Sequence, residues 1–352
     1  MRDSEHHSIT RRGFAAAALS LSSSPLLRGE ETTPSSTSNV DDKALIAITL
    51  DLEMSAGYPV KGKPRDDYPW DYDKGNLNAE TKQYTVEACR RVKAAGGVLH
   101  SFVVGRVLEQ RNVDWLKGII ADGHPVGNHT YDHVYILATE PNDIQPRFRR
   151  SPWLIQGREP ADVIAENIRL CAIAMESRLG IKPNGFRAPG GFGNGLSDRP
   201  DVQQMIRSQG YTWTSCKYPR GYEFASQNPT SRDFETLVNA IKTKGQPHRL
   251  SSGLIEVPAS CPTDVNVFRS NQWKLEEFLT VIEKSVRWAI QERAVYDFTV
   301  HPSIMYVEDP DFRAIDLICN VVRQSDGQAA IVGLDTIADR TRRQLRKGRN
   351  RS

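Results

Sequence analysis

The amino-acid sequence predicts an α/β protein with a mainly parallel sheet, folded as a single domain. Short apolar strands alternate along the chain with stretches of helical period, which is the signature of successive strand–helix units. Three of those strands end in acidic or histidine residues, and the carboxyl ends of parallel strands are where such folds build their sites. The chain has 352 residues, 39% hydrophobic and 25% charged, enough for one substantial core.

The first 39 residues stand outside that pattern. Ser8-Ile9-Thr10-Arg11-Arg12-Gly13-Phe14 is a twin-arginine pattern, followed by the apolar run Ala15 to Leu21, which is too short to span a bilayer. Residues Ser22 to Asn39 are rich in Ser, Thr and Pro and read as a flexible linker. The expectation is an export signal and linker over 1–39, a catalytic domain over 40–339 and a basic, disordered tail over 340–352. Export by the twin-arginine route would place the protein in the periplasm, cell envelope or exterior, with no stable membrane span. The net charge is +3, but Arg340 to Ser352 holds seven basic and no acidic residues, so the body is mildly acidic. A nucleic-acid-binding face is not expected from that balance. The five cysteines are widely scattered, with no zinc-ribbon or redox spacing.

The elements follow in order. Leu45 to Glu53 is an apolar strand closed by two carboxylates, Asp51 and Glu53. Met54 to Leu77, with Tyr58, Tyr68, Trp70 and Tyr72, is expected as a long loop over the site, Trp70 being a candidate for stacking on substrate. Glu80 to Ala95 gives a helix, Val98 to Gly105 a buried strand, and Val113 to Gly123 an amphipathic helix ending in glycine. The short strand Pro125-Val126 then delivers Gly127-Asn128-His129-Thr130-Tyr131-Asp132-His133. The four-residue spacing of His129 and His133 is that of one face of a helical turn, so both imidazoles can reach one cation. A second polar insertion, Ala138 to Pro160 with Trp153, reads as a groove wall. Helices over Ala161 to Leu179, Val202 to Gln209 and Trp273 to Arg293 complete the α-layer. Phe186-Arg187-Ala188-Pro189-Gly190-Gly191 is a glycine-rich turn bearing an arginine, and Tyr296 to Val300 is a strand ending at His301-Pro302.

Taken together these stretches resemble the polysaccharide deacetylases of the NodB-homology type (carbohydrate esterase family four). Thr49-Leu50-Asp51-Leu52-Glu53 resembles that family's first motif, the run from Ala121 to His133 its second, Arg187 to Gly191 its third and Val300-His301-Pro302 its fifth. Ile255-Glu256-Val257-Pro258 and Val332-Gly333-Leu334-Asp335-Thr336-Ile337 are family-like as well. The resemblance runs over roughly Ala44 to Ala338 and implies a distorted barrel of seven β/α units.

It also implies roles. Glu53, His129 and His133 would hold a divalent metal, zinc being the expected ion, with glutamate where the family usually has aspartate. Asp51 would be the general base, Arg187 would hold it ionised, and His301 would be the general acid. Pro189, Gly190, Trp213 and Trp70 would meet the substrate. The family's fourth motif corresponds to Gly210 to Lys217, where the expected aspartate that tunes the acid is missing; the nearest acid in sequence is Asp297, four residues before His301 on one strand. The expected activity is removal of N-acetyl or O-acetyl groups from a carbohydrate polymer. Two alternatives stand beside it: an amidohydrolase of a small non-sugar C–N bond, or a carbohydrate-binding relative without catalysis.

Overall fold

In a computed structural model, residues 40–54, 74–219 and 227–349 are described. The expected loop over Met54 to Leu77, including Trp70, and the twin-arginine segment lie mostly outside them. Among the described residues nine strands form one sheet: β1 (Ala44–Leu52), β2 (His100–Val103), β3 (Val126–Asn128), β4 (Gly185–Phe192), β5 (Trp213–Lys217), β6 (His248–Arg249), β7 (Ile255–Glu256), β8 (Val295–Val300) and β9 (Ala329–Ile331). Their order is β6-β7-β5-β4-β3-β2-β1-β8, with β9 on the start of β1. Every pairing is parallel except β6 with β7, and the sheet curls into a half-barrel wrapped by helices.

The two-residue period of a strand sorts its side chains between the inside of the curl and the helical shell. In β1, Ile46, Ile48, Leu50 and Leu52 join the large core shared with the outer helices, while Leu45 and Ala47 join a small interior cluster with Phe102, Trp213 and Val295. The interior series therefore runs Leu45, Ala47, Thr49, Asp51, Glu53, from apolar floor to acidic rim. β8 repeats the scheme: Tyr296, Phe298 and Val300 face outward, and Val295, Asp297, Thr299 and His301 follow one another inward. Leu334, Ile337 and Ala338 of the last helix plug the floor. Chemistry is thus confined to the carboxyl ends of the strands.

Between β7 and β8 the closure is made without strand pairing. Ser260 donates its N–H to the Asp297 carbonyl at 3.2 Å and its Oγ accepts from the Asp297 N–H at 3.0 Å. Gln246 bonds both the carbonyl and the N–H of Val295 at 3.0 Å. At the chain's end, the disordered tail expected from Arg340 onward is corrected over its described part. A helix spans Leu334–Arg349, with Arg340 buried and bonded to the Lys43 carbonyl at 2.6 Å, and Arg343 and Lys347 on Asp41 at 2.9 and 3.0 Å. The basic charges are there to staple the entry of β1.

Candidate active site

Asp51 and Glu53 project inward from the end of β1, and both are buried. Asp51 accepts a hydrogen bond from Arg187 Nη1 at 3.1 Å. Arg187 itself is a buried hub. It donates to Asp297 at 2.6 Å, to Thr49 Oγ1 at 2.8 Å and to Ser215 Oγ at 3.2 Å, and its guanidinium lies 4.3 Å from the centre of the Phe102 ring. Two carboxylates so hold one guanidinium, which burial alone would disfavour, charged and in place. Asp297 belongs to this hub and not to His301.

The histidine pair is delivered differently from the helical turn expected. After β3 the backbone is irregular, with Thr130 at φ 62° and His133 at φ 59°, both in the left-handed region. Side chains hold this shape. Asn128 Oδ1 accepts from the Thr130 N–H at 2.8 Å, Asn167 Oδ1 from the Asp132 N–H at 2.7 Å, and Thr130 Oγ1 from the Val134 N–H at 3.0 Å. Local Asn and Thr acceptors compete with a helical ladder and here they win. The rings still converge, 5.3 Å apart. His129 Nδ1 lies 3.0 Å from the Arg187 carbonyl, which only accepts, so Nδ1 carries the hydrogen and Nε2 keeps its lone pair for the site. Burial, only partly offset by Asp51 and Glu53, pushes the His129 pKa down to about 4, so the ring is neutral.

His301, just past β8, completes the ring. Its Nδ1 lies 2.9 Å from Asp264 Oδ1, its backbone N–H donates to Asp264 Oδ2 at 2.6 Å, and its Nε2 lies 2.7 Å from Glu53 Oε1. Burial would lower its pKa, but the two carboxylates outweigh that and raise it well above the ordinary value. The carboxylate missing from Gly210 to Lys217 is therefore supplied by Asp264, in the segment after β7. Its signal was Cys261-Pro262-Thr263-Asp264, directly after the family-like strand Ile255 to Pro258.

Glu53 is the crossing point. Oε2 lies 2.7 Å from His133 Nε2 and also accepts from the ammonium of Lys74, another residue that sequence reasoning missed. Burial pushes this carboxyl up, yet the charges of His133 and Lys74 and the hydrogen bonds from His133 and His301 bring it well below the usual range. Glu53, His129 and His133 each offer one donor atom, all within 4.8 Å of one another. Two imidazole nitrogens and one carboxylate oxygen are a donor set suited to catalytic zinc, and His129 is in the required tautomer. The residues fit a divalent ion.

These groups line a cavity of about 500 Å³, together with Gly190, Gly191, Ser215, Lys217, Tyr218 and Arg269. Gly190 lies on its wall, whereas Pro189 is buried and is not among the lining residues. Trp213 is not there, which corrects its expected place at the substrate. It opens β5, so the period of the strand sends it to the floor, where it packs edge-on to His100 and Phe102 and donates to Asn184 Oδ1 at 3.2 Å. It borders a different cleft, at the amino ends of the strands. The insertion expected as a groove wall lines no part of the cavity; through Arg147, paired with Asp132, it braces the histidine turn. No disulfide joins the five cysteines, all of which are buried.

Comparison with known proteins agrees with this geometry. The family model described as polysaccharide deacetylase matches residues 66–213, which include both histidines and Arg187. A Mycobacterium smegmatis protein classed as a polysaccharide deacetylase has a similar structure, with 15% identity and a TM-score of 0.57, over 87% of this chain and 92% of that one. A Pseudomonas aeruginosa PAO1 protein classed the same way shares 13% identity at a TM-score of 0.53 over 86% and 92% of the two chains. The Puue allantoinase shares 14% at 0.53 over 85% and 90%. At such identities these three speak for the fold alone. No curated protein matches the sequence. Over residues 66–213 the chain is thus similar to the polysaccharide deacetylases, on a fold that it shares with these solved structures.

Proposed function

We propose that this protein is a metal-dependent hydrolase that removes N-acetyl or O-acetyl groups from a carbohydrate polymer. The observation that carries the reading is the convergence of Asp51, Glu53, His129, His133 and His301 on one cavity. A zinc ion on Glu53, His129 and His133 would supply Lewis acidity, polarising an acyl oxygen and acidifying water. Asp51, with one oxygen held by Arg187, takes the proton of the attacking water as that water adds to the acyl carbon. His301, protonated and aimed by Asp264, gives its proton to the leaving nitrogen or oxygen as the bond to the acyl carbon breaks. Acetic acid, which gives its proton to the solvent, and a free amine or hydroxyl result, and proton transfer from Asp51 to His301 restores the site.

The twin-arginine pattern supports export, and with it a substrate in the envelope or surroundings. Acetate release from chitin oligomers, peptidoglycan and acetylated xylan, with and without chelator, tests the reading. Release from at least one polymer, abolished by the chelator, is expected. Silence on all three would move the assignment to a small non-sugar amide.

A further inference from the structure

We infer that Lys74 is a built-in competitor for the metal ion, a tethered cation that sets how tightly the site holds a divalent one. This rests on the metal-centre reading above. The Lys74 ammonium donates to Glu53 Oε2, the same oxygen that lies 2.7 Å from His133 Nε2. Both side chains are more than nine-tenths buried, so the pair is barely screened by water. The other acids of the site are engaged: Asp51 by Arg187 and Asp264 by His301.

The backbone keeps Lys74 there. The Gly75 N–H donates to the Glu53 carbonyl at 2.6 Å, and the Gly75 carbonyl accepts from Gln110 Nε2 at 3.1 Å. Gly75 has φ +91°, and a Cβ on it would meet Arg106 Cβ at 2.4 Å. Only glycine fits that approach. Lys74 is thereby pinned to the end of the strand that carries Glu53. Both imidazoles must be neutral to bind an ion, so the donor set would bring it a single negative charge, and the ammonium cancels that charge. A divalent ion entering this site meets a positive charge on its own ligand, and affinity falls accordingly.

The test is zinc affinity of the full chain, measured by competition with a chromogenic chelator, which needs no activity. Lys74→Met is expected to bind zinc at least roughly tenfold tighter than the native chain, because removing a buried like charge favours the ion. Lys74→Arg, which keeps the charge, is expected to stay within about threefold of the native affinity. Adding His129→Ala to Lys74→Met is expected to abolish the gain. A purely structural role for Lys74 would weaken binding on substitution, so unchanged or weaker affinity in Lys74→Met overturns the inference, as does equal tightening in Lys74→Arg. If Lys74→Met fails to fold by circular dichroism, Lys74→Gln is read in its place by the same criteria. Should neither the native chain nor the neutral variant bind zinc, the metal-centre reading itself falls; equal, His129-dependent binding in both removes only the role of Lys74.

Discussion

Asp51 divides its two oxygens between tasks. One accepts from Arg187 at 3.1 Å; the other faces His129 Nε2 at 4.0 Å, on the side of the candidate metal ligands. Asp51→Asn keeps that shape but removes the basic lone pairs. Acetate release should fall by about 10²–10⁴ with zinc content retained, and near-native turnover would take the base role from Asp51. Asp264 is the counterpart on the acid side, holding both the ring and the backbone N–H of His301. Asp264→Ala frees the ring to turn and removes a nearby negative charge, so turnover should drop by about 10² with zinc affinity little changed. A variant with full turnover would show that His301 works without it. These residues differ in legibility. Asp51 and His301 close apolar strands, where a charged or titratable side chain is conspicuous. Asp264 and Lys74 sit in irregular segments with no period to expose them, 37 and 21 residues from the partners they meet.

At the level of elements, the turn after β3 shows where spacing misleads. A four-residue separation is the helical signature, but Asn128, Thr130 and Asn167 give the backbone other acceptors, and the same two rings reach the same place by a left-handed route. The strands were more transparent, since alternation along β1 and β8 says which residues point into the curl. The same rule, applied to β5, sends Trp213 to the floor with Ser215 above it and Lys217 at the rim. Asn128 is the member on which the turn depends most, because its amide also donates to the Ile168 carbonyl at 2.8 Å and to Tyr211 Oη at 2.6 Å. Asn128→Ala leaves buried groups without partners and should cost about 2–4 kcal/mol in urea unfolding. It should also weaken zinc binding, since Thr130 loses the contact that fixes its backbone. A loss under about 0.5 kcal/mol would mean that the turn is held from elsewhere.

For the molecule as a whole, the α/β class follows from a burial pattern written into consecutive residues, and so it is readable. Closure between β7 and β8 rests on Ser260 and Gln246, single polar side chains whose partners lie 37 and 49 residues away, and no local pattern announces them. The last helix is a related case, since a run of arginines reads as a solvated tail until Asp41 and the Lys43 carbonyl are seen to receive it. The site inherits this long-range character. Glu53 stands at the end of one strand and His129 and His133 beyond another, and the unfolded chain does not hold the three together. An ion bound only by the folded form must then stabilise the fold by mass action, by about 2.7 kcal/mol when free zinc is a hundred times its dissociation constant. Thermal unfolding of the native chain should therefore shift upward with zinc and return on addition of chelator, while His129→Ala should unfold at a midpoint indifferent to zinc. A variant still stabilised by the ion would show that it binds elsewhere, and the three ligands would have to be reassigned.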